Sequence, residues 1–197
     1  MSDERPKEKQ RPEIPVLETE RLRLRALTMD DLDGFYAFVK ETDVTDYMGR
    51  PPYESIDAAR ARIKERLEKR FGYGPDRFTW AVEEKATGRY VGEAGLHSVD
   101  KKNRRGELAR GLVAEARGKG YGAEAGRAVL DFAFDVLGLN RVQAVTRTTN
   151  EASQRSLAGL GFSKEGTLRD YWTIDGKPAT TCIYSLLREE YRTEKAA

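Results

Sequence analysis

A strand-like run, Glu107 to Ala114, passes through Arg117-Gly118-Lys119-Gly120-Tyr121-Gly122 into an amphipathic run, Ala123 to Leu137. No other stretch constrains the fold as strongly. A strand that turns sharply through glycines into a helix leaves the first helical N–H groups unpaired and pointing out of the turn. Those groups, together with the positive end of the helix dipole, attract an anion. Gly118, Gly120 and Gly122 let the backbone curl and approach phosphate oxygens closely. Arg117 and Lys119 add full positive charge on the same rim. The run therefore reads as a diphosphate-binding turn and points to a phosphorylated cofactor.

The spacing excludes two familiar loops. No Ser or Thr follows a Gly-Lys pair as a P-loop requires, and the glycines run G-x-G-x-G rather than G-x-G-x-x-G. Taken alone, the hexapeptide also fits an ordinary left-handed turn joining a strand to a helix.

The rest of the chain supplies the frame. Residues 1–13 mix both charge signs with Pro6 and Pro12 and lack apolar periodicity, so they are expected to be a disordered lead. Leu22, Leu24 and Ala26 alternate with arginines as in a half-buried strand. Thr28 is placed to cap a helix with Leu32, Phe35, Tyr36 and Val39 on one face. After a loop with Gly49, Pro51 and Pro52, Ser55 or Asp57 starts a second helix with the apolar stripe Ala59, Ile63, Leu67. Its other positions, Arg60, Arg62, Lys64, Arg66, Lys69 and Arg70, read as a solvated face, with an RNA or acidic-partner surface as the alternative.

Phe78 to Glu84 and Tyr90 to Leu96 flank Ala86-Thr87-Gly88 as a hairpin, and Gly106 to Ala114 is expected to add a third strand. The helix beyond the glycine turn carries Ala125, Val129, Phe132 and Val136 at helical spacing and meets a C-cap at Gly138. Arg141 to Arg147 is a further strand, parallel to 106–114 through a right-handed crossover. A short helix, Ala152 to Leu160, precedes a last hairpin of Ser163 to Trp172 and Thr181 to Leu187 around Asp175-Gly176. The outcome is a mixed α/β domain with antiparallel arms and a parallel centre.

Composition narrows the function. With a net charge of +2, the chain lacks the basic excess of a dedicated nucleic-acid binder. No segment approaches the ~20 apolar residues of a membrane span, and the polar Met1 to Pro15 does not read as a secretory signal. Cys182 is the single cysteine, so neither an internal disulfide nor a cysteine-rich metal site is expected. Cytoplasm is the expected compartment.

Several segments in order resemble one family. Arg117 to Gly122 after a central strand matches the [Q/R]-x-x-G-x-[G/A] acetyl-CoA pyrophosphate loop of the GNAT N-acetyltransferases. Asn150-Glu151-Ala152-Ser153 followed by Leu160-Gly161-Phe162 resembles their "N-x-x-S … L-G-F" helix. Leu17 to Arg25, the Asp175-Gly176-Lys177 turn and Ile183 to Glu190 resemble the RimJ/RimL-type branch, the protein N-terminal acetyltransferases. The resemblance runs from about Val16 to Tyr191. It implies a mostly antiparallel sheet with a splayed parallel pair at its centre and helices on both faces. It also implies a domain over residues 14–192 with a short tail, 193–197.

The resemblance further implies that backbone groups of Leu112, Val113 and Ala114 pair with the pantetheine arm of acetyl-CoA like an added strand. Residues Arg117, Gly118, Lys119, Gly120, Tyr121 and Gly122 would hold the pyrophosphate, and the thioester would lie beside Asn150 and Ser153. No metal is called for. Amide formation needs a deprotonated amine, a stabilised carbonyl oxygen and a stabilised leaving thiolate. An N–H near Val113 is one candidate to polarise the carbonyl. Many GNAT enzymes carry a tyrosine where Leu157 stands, and Ser153 matches the serine that replaces it as thiolate donor in the RimJ/RimL branch. Helix capping is the competing role for Ser153, and likewise for Asn150.

Glu107 matches the strand glutamate that serves as base in histone-type members, with pairing to Arg104 or Arg105 as the structural alternative. His97, the single histidine, titrates in the useful range but sits at a strand end, where a structural role is common. Tyr171 and Trp172 are candidate acceptor-site residues, against a default of core packing. Where the branch often carries an Asp, this chain has Ala179-Thr180-Thr181, which weakens a ribosomal acceptor. The expected activity is acetyl transfer from acetyl-CoA to a primary amine, such as a ribosomal or other protein N-terminus, in a ternary complex. A small amine (aminoglycoside, polyamine or amino acid) and a non-catalytic acyl-CoA sensor are the alternatives. A monomer or homodimer is expected.

Overall fold

The computed structural model describes residues 14–41, 52–69, 73–74, 76–174 and 176–196. The expected lead of residues 1–13, and Gly49, Pro51, Arg70 and Asp175 of the expected loops and helix, lie outside them. Nine strands form one sheet: β1 (Leu17–Glu18), β2 (Leu22–Arg25), β3 (Tyr73–Gly74), β4 (Arg77–Glu84), β5 (Arg89–Asp100), β6 (Arg105–Leu112), β7 (Arg141–Arg147), β8 (Ser163–Ile174) and β9 (Lys177–Leu187). Their order is β1-β2-β4-β5-β6-β7-β9-β8, with β3 beside β4.

Among the described strands, β6 and β7 make the one parallel pair, in the register Arg105↔Arg141, Gly106↔Val142 and Glu107↔Gln143. Beyond Glu107 the two strands part. β6 continues along β5 to Leu112, and β7 continues along β9 to Arg147. The expected parallel centre with antiparallel arms is present, and its two middle strands diverge toward their C-terminal ends.

Two helical layers cover the sheet. On one side lie α1 (Leu32–Val39) and α2 (Ile56–Glu68). Phe35 and Phe38 of α1 meet the Tyr90 ring edge-on at 6.4 and 6.2 Å. The opposite side carries α3 (Tyr121–Asp131), which buries Ala125, Val129 and Leu130. Here Trp80 is fully buried, with Phe132 edge-on at 5.3 Å. The Trp80 indole N–H finds its acceptor in the Pro15 carbonyl, 2.7 Å away, as a buried indole requires. α4 (Glu151–Ala158) follows β7 and packs near α3, and α5 (Arg188–Ala196) closes the chain.

Several details differ from the sequence reading. β6 ends at Leu112, because Val113 to Ala116 turn through a 3₁₀ segment closed by Ala116 N–H to Val113 carbonyl at 3.0 Å. The helix after the glycine turn is α-helical only to Asp131 and then makes one wide π turn, Phe132–Val136. That extra residue turns Phe132 and Phe134 inward and swings Val136, expected in the apolar stripe, out to 69% exposure. Gly138 ends the helix as expected, at φ +65°, with the Leu139 N–H reaching back to Ala133. The last hairpin is longer than expected, and α5 runs through most of the expected tail.

The start of α2 is set by Ser55, whose Oγ accepts the Ala58 N–H at 3.2 Å. Its charges are mostly paired locally, Arg62 with Glu65 at 2.7 Å and Lys69 with Glu65 at 2.8 Å. Arg66, placed by its sequence neighbours on the solvated face, is instead buried and reaches Glu93 of β5 at 2.6 Å. Removing one partner of a buried ion pair strands the other charge. Arg66→Ala is expected to cost roughly 3–5 kcal/mol in urea unfolding; a loss below about 1 kcal/mol, typical of a surface pair, would show that the pair is solvated.

Candidate active site

The site begins where β6 and β7 lose each other. In an antiparallel pair, residues alternate between those that exchange hydrogen bonds with the neighbour and those that turn their backbone groups away. Val113 N–H donates to Val91 carbonyl at 3.0 Å. With the β5–β6 register, that bond assigns the odd-numbered residues of β6 to β5. The even ones direct N–H and C=O toward the β7 side. At Arg110 and Leu112 the neighbouring strand has already diverged, so these groups point into a wedge-shaped gap.

Both parallel strands deliver their chain into helices at the mouth of that gap, the usual ligand position in open α/β sheets. After β6 comes the glycine turn. Gly118 and Gly120 adopt φ +75° and +82°, which side-chain-bearing residues rarely reach. Gly122 is already helical, and a Cβ there would make only ordinary contact with Leu112 at 3.7 Å. Its requirement for glycine is therefore weaker than the sequence reading held. The Ala123 and Glu124 N–H groups bond the Gly120 carbonyl. Among the described residues, the N–H groups of Gly118, Lys119, Gly120, Tyr121 and Gly122 have no acceptor. Five unpaired donors at a helix start make this turn a candidate anion cradle.

The side chains around the cradle are arranged differently from the expectation. Arg117 is tied down, its Nε donating to Leu112 carbonyl at 3.1 Å and its guanidinium pairing with Glu41. Glu41 also accepts the Ala114 N–H at 3.0 Å. Val113 and Ala114 thus already spend their N–H groups within the protein. The N–H suggested as carbonyl-polarising at Val113 belongs to the β5 ladder, and Leu112 is the residue whose N–H faces the gap. Tyr121 is buried, its hydroxyl donating to Glu84 at 2.5 Å. That bond to the carboxylate raises the Tyr121 pKa, so this residue offers an anion its backbone rather than its side chain. Lys119 remains exposed on the rim.

Sequence reasoning missed Arg21. It sits between β1 and β2, distant in the chain, yet its Nη1 donates to Lys119 carbonyl at 2.9 Å and its Nε to Glu124 at 2.7 Å. Its guanidinium also lies 4.8 Å from the Tyr121 ring centroid. Glu124 accepts from Thr19 and from the Arg21 N–H as well. The glycine turn is thereby braced from the first hairpin. The arginine alternation of Leu22 to Ala26 carried no signal of this contact.

After β7 comes α4. Asn150 is its N-cap, with Oδ1 accepting the Ser153 N–H at 3.0 Å. The capping role therefore belongs to Asn150. The Ser153 hydroxyl takes no part in it and has no hydrogen-bond partner among the described residues. Leu157 is buried in the core, and Cys182 is a buried free thiol.

Glu107 stands on the last paired rung before the gap, and Gln143 donates to it at 3.1 Å. Its expected alternatives are engaged elsewhere: Arg104 with Gly138 carbonyl and Arg105 with Asp100. The pleat puts Glu107 on the sheet face of α1 with Gly111, where a Cβ would touch Phe38. His97, its register partner on β5, shares that face and lies 3.1 Å from the Thr79 hydroxyl. Burial first, then Arg77 and Arg66, lower the His97 pKa to about 4. The imidazole is therefore neutral in the range where the sequence reading had it titrating. Tyr171 and Trp172 are not core residues. Tyr171 is 54% exposed and lies within the register slip between Leu168 and Trp172, its ring 6.2 Å from that of Trp172.

Residues 21–163 match the profile of the family described as "Acetyltransferase (GNAT) domain". The chain belongs to the GNAT family. As a GNAT protein it is 36% identical to the uncharacterized N-acetyltransferase YoaA of Bacillus subtilis over 179 residues, 89% of this chain and 98% of the relative. It is 26% identical to spermidine N(1)-acetyltransferase of Escherichia coli K12, covering 88% and 89% of the two chains. YdaF of Bacillus subtilis, named as a proposed ribosomal N-acetyltransferase, is 35% identical over 55% of this chain and 59% of its own. Among solved structures, spermidine N-acetyltransferase from Vibrio cholerae in complex with CoA and spermine superposes with a TM-score of 0.73 at 23% identity, covering 88% of this chain and 99% of that one. GNAT acetyltransferases use acetyl-CoA as the acetyl donor. Among the described residues no cluster of acids, His or Cys could hold a metal ion, and no helix is long and apolar enough to cross a membrane.

His97 gives this site a pH signature. Its folded pKa lies below its unfolded value of 6.5, so between about 4 and 6.5 the unfolded chain binds more protons. The His97 contribution to stability is complete above pH 6.5 and is lost as pH falls toward 4. Urea unfolding across this window should show a shallower pH slope in His97→Gln than in the parent; identical slopes would mean the ring is solvated.

Proposed function

We propose that this GNAT protein transfers the acetyl group of acetyl-CoA to a primary amine by direct attack in a ternary complex, and that the acceptor is a protein N-terminal α-amine. The observation that carries the first part is the gap between β6 and β7, with an open five-donor cradle at its mouth. In this reading the pyrophosphate sits on the N–H groups of Gly118 to Gly122, with Lys119 beside it. The pantetheine amides lie along Leu112, and the thioester reaches α4. The unpartnered Ser153 hydroxyl donates to the departing thiolate, and Asn150 orients the helix start. Glu107, fixed by Gln143 at the base of the gap, accepts the ammonium proton through water. Holding the two reactants together in this cleft supplies much of the rate.

The acceptor reading rests on charge. A polyamine presents several ammonium groups and calls for several available carboxylates. Of the aspartates around the start of α1, Asp31 is buried and spent on Arg25 at 2.7 Å. The face that holds Glu107 adds a neutral His97, Thr79 and Gln143. Glu107, held by the neutral Gln143 rather than by a cation, suits one ammonium, as a peptide N-terminus offers. The similarity to spermidine acetyltransferases supports the second reading, a small polyamine.

The acceptor is tested by incubating the protein with isotopically labelled acetyl-CoA and a mixture of free-N-terminal peptides, spermidine and an aminoglycoside, followed by mass spectrometry. Label on peptide α-amines is the expected result. Label on spermidine alone would replace the N-terminal reading with the polyamine one.

Two substitutions test the donor site. Gly120→Glu puts a side chain at a φ of +82° and a negative charge in the anion cradle, so CoA binding by calorimetry should vanish. Unchanged affinity would remove the loop from the site. Ser153→Ala should lower kcat by about 10-fold to 100-fold with CoA affinity nearly intact; an equal loss of affinity would assign the serine to binding.

A further inference from the structure

The gap has a structural cost. Where β6 and β7 pair, ladder hydrogen bonds fix their spacing, but past Glu107 and Gln143 that restraint ends. Ser153, on the far side of the gap, must nonetheless be held at a fixed distance from the strand that lines the near side. Among the described residues, an arginine of β6 crosses the opening to α4. Arg110, three residues beyond the last rung, is half-buried and donates from Nη2 to the Ser156 hydroxyl of α4 at 2.8 Å.

Its path is prepared by two glycines one helical turn apart on α3. A Cβ built on Gly126 would lie 3.7 Å from Arg110 Cδ, and one on Gly122 would lie 3.9 Å from its Nε. Larger side chains at either place would obstruct the arginine stem. At Gly126 even a Cβ would press on Leu160 at 2.9 Å. Ser156 and Ser153 are three residues apart and share one face of α4. A restraint on Ser156 is therefore a restraint on Ser153.

We propose that Arg110 is a positioning residue: its guanidinium, bonded to Ser156, straps α4 to β6 across the gap and sets where the Ser153 hydroxyl stands. A planar, permanently charged fork suits the task, because its bond to a hydroxyl is charge-assisted and directional. The proposal rests on the reading of Ser153 as the thiolate donor, and the test separates the two.

Arg110→Met keeps an apolar stem against the α3 glycines and removes the fork; Arg110→Lys keeps a charged donor; Ser156→Ala removes the acceptor. Hydrogen exchange, which needs no substrate, reads the strap. The α4 amides of residues 155–158 should exchange about tenfold faster in Arg110→Met and in Ser156→Ala, with α3 amides unchanged and partial recovery in Arg110→Lys. Equal exchange in all variants would overturn the strap.

Turnover of acetyl-CoA, followed by thiol release with a free-N-terminal serine peptide as acceptor, reads its purpose. Arg110→Met should lower kcat about tenfold with less than about a threefold change in the KM for acetyl-CoA. Combined with Ser153→Ala it should be no slower than Ser153→Ala alone, since both act on one hydroxyl. Losses that multiply would overturn action through Ser153. A parent protein that releases no thiol with the peptide would count against the acceptor reading, while exchange would still decide the strap.

Discussion

Three rungs of parallel pairing hold the centre of this molecule together, and their early end is what the rest of the structure depends on. Had β6 and β7 stayed paired, the backbone groups of Arg110 and Leu112 would be consumed by the ladder. The sheet would then be closed where the proposed ligand enters. Each strand instead keeps its other partner, β5 for β6 and β9 for β7. The sheet tolerates the breach because both lips are hydrogen-bonded on their outer sides. The two helix starts that face the breach then supply what strands cannot: unpaired N–H groups on α3 and a hydroxyl on α4.

This arrangement divides the labour of the proposed reaction by physical type. The donor side is mostly backbone: fixed dipoles, a left-handed glycine turn, and a brace from Arg21 to the Lys119 carbonyl. In the proposed complex such a site would gain affinity from preorganisation, because the N–H groups of Gly118 to Gly122 have no acceptor among the described residues before any anion arrives. On the acceptor side the groups are side chains on the opposite sheet face, where Glu107 is held by Gln143 and His97 is kept neutral by burial and two arginines. Arg117 links the two sides in this structure. It covers the Leu112 carbonyl and pairs with Glu41 just past the end of α1.

What the sequence disclosed, and what it withheld, follow from the range of the interactions involved. Local signals were legible: a cap at Ser55 or Asp57 for α2, the Gly138 stop beyond α3, the hairpins, and the strand–turn–helix order that gave the crossover. The family resemblance brought the splay, which no periodicity could show. Contacts made over long separations were not legible. Arg66 looks solvated among its basic neighbours because its partner Glu93 lies on another element. Arg21 looks like one of three alternating arginines because the loop it braces is nearly a hundred residues away. The π turn that exposes Val136 and places Phe132 against Trp80 breaks the helical repeat on which the expected stripe was drawn. Which of Asn150 and Ser153 caps α4 could be told only by seeing which side chain accepts the Ser153 N–H.

In the proposed complex the pantetheine of acetyl-CoA fills the gap as a surrogate strand along β6. Amide hydrogen exchange with and without CoA, resolved to single residues by NMR, tests it most directly. The Leu112 amide, which faces the gap, should become strongly protected when CoA is added. The Val113 amide, already bonded to Val91, should change little. Protection of Val113 without Leu112, or no change at either residue while CoA is bound, would contradict the account.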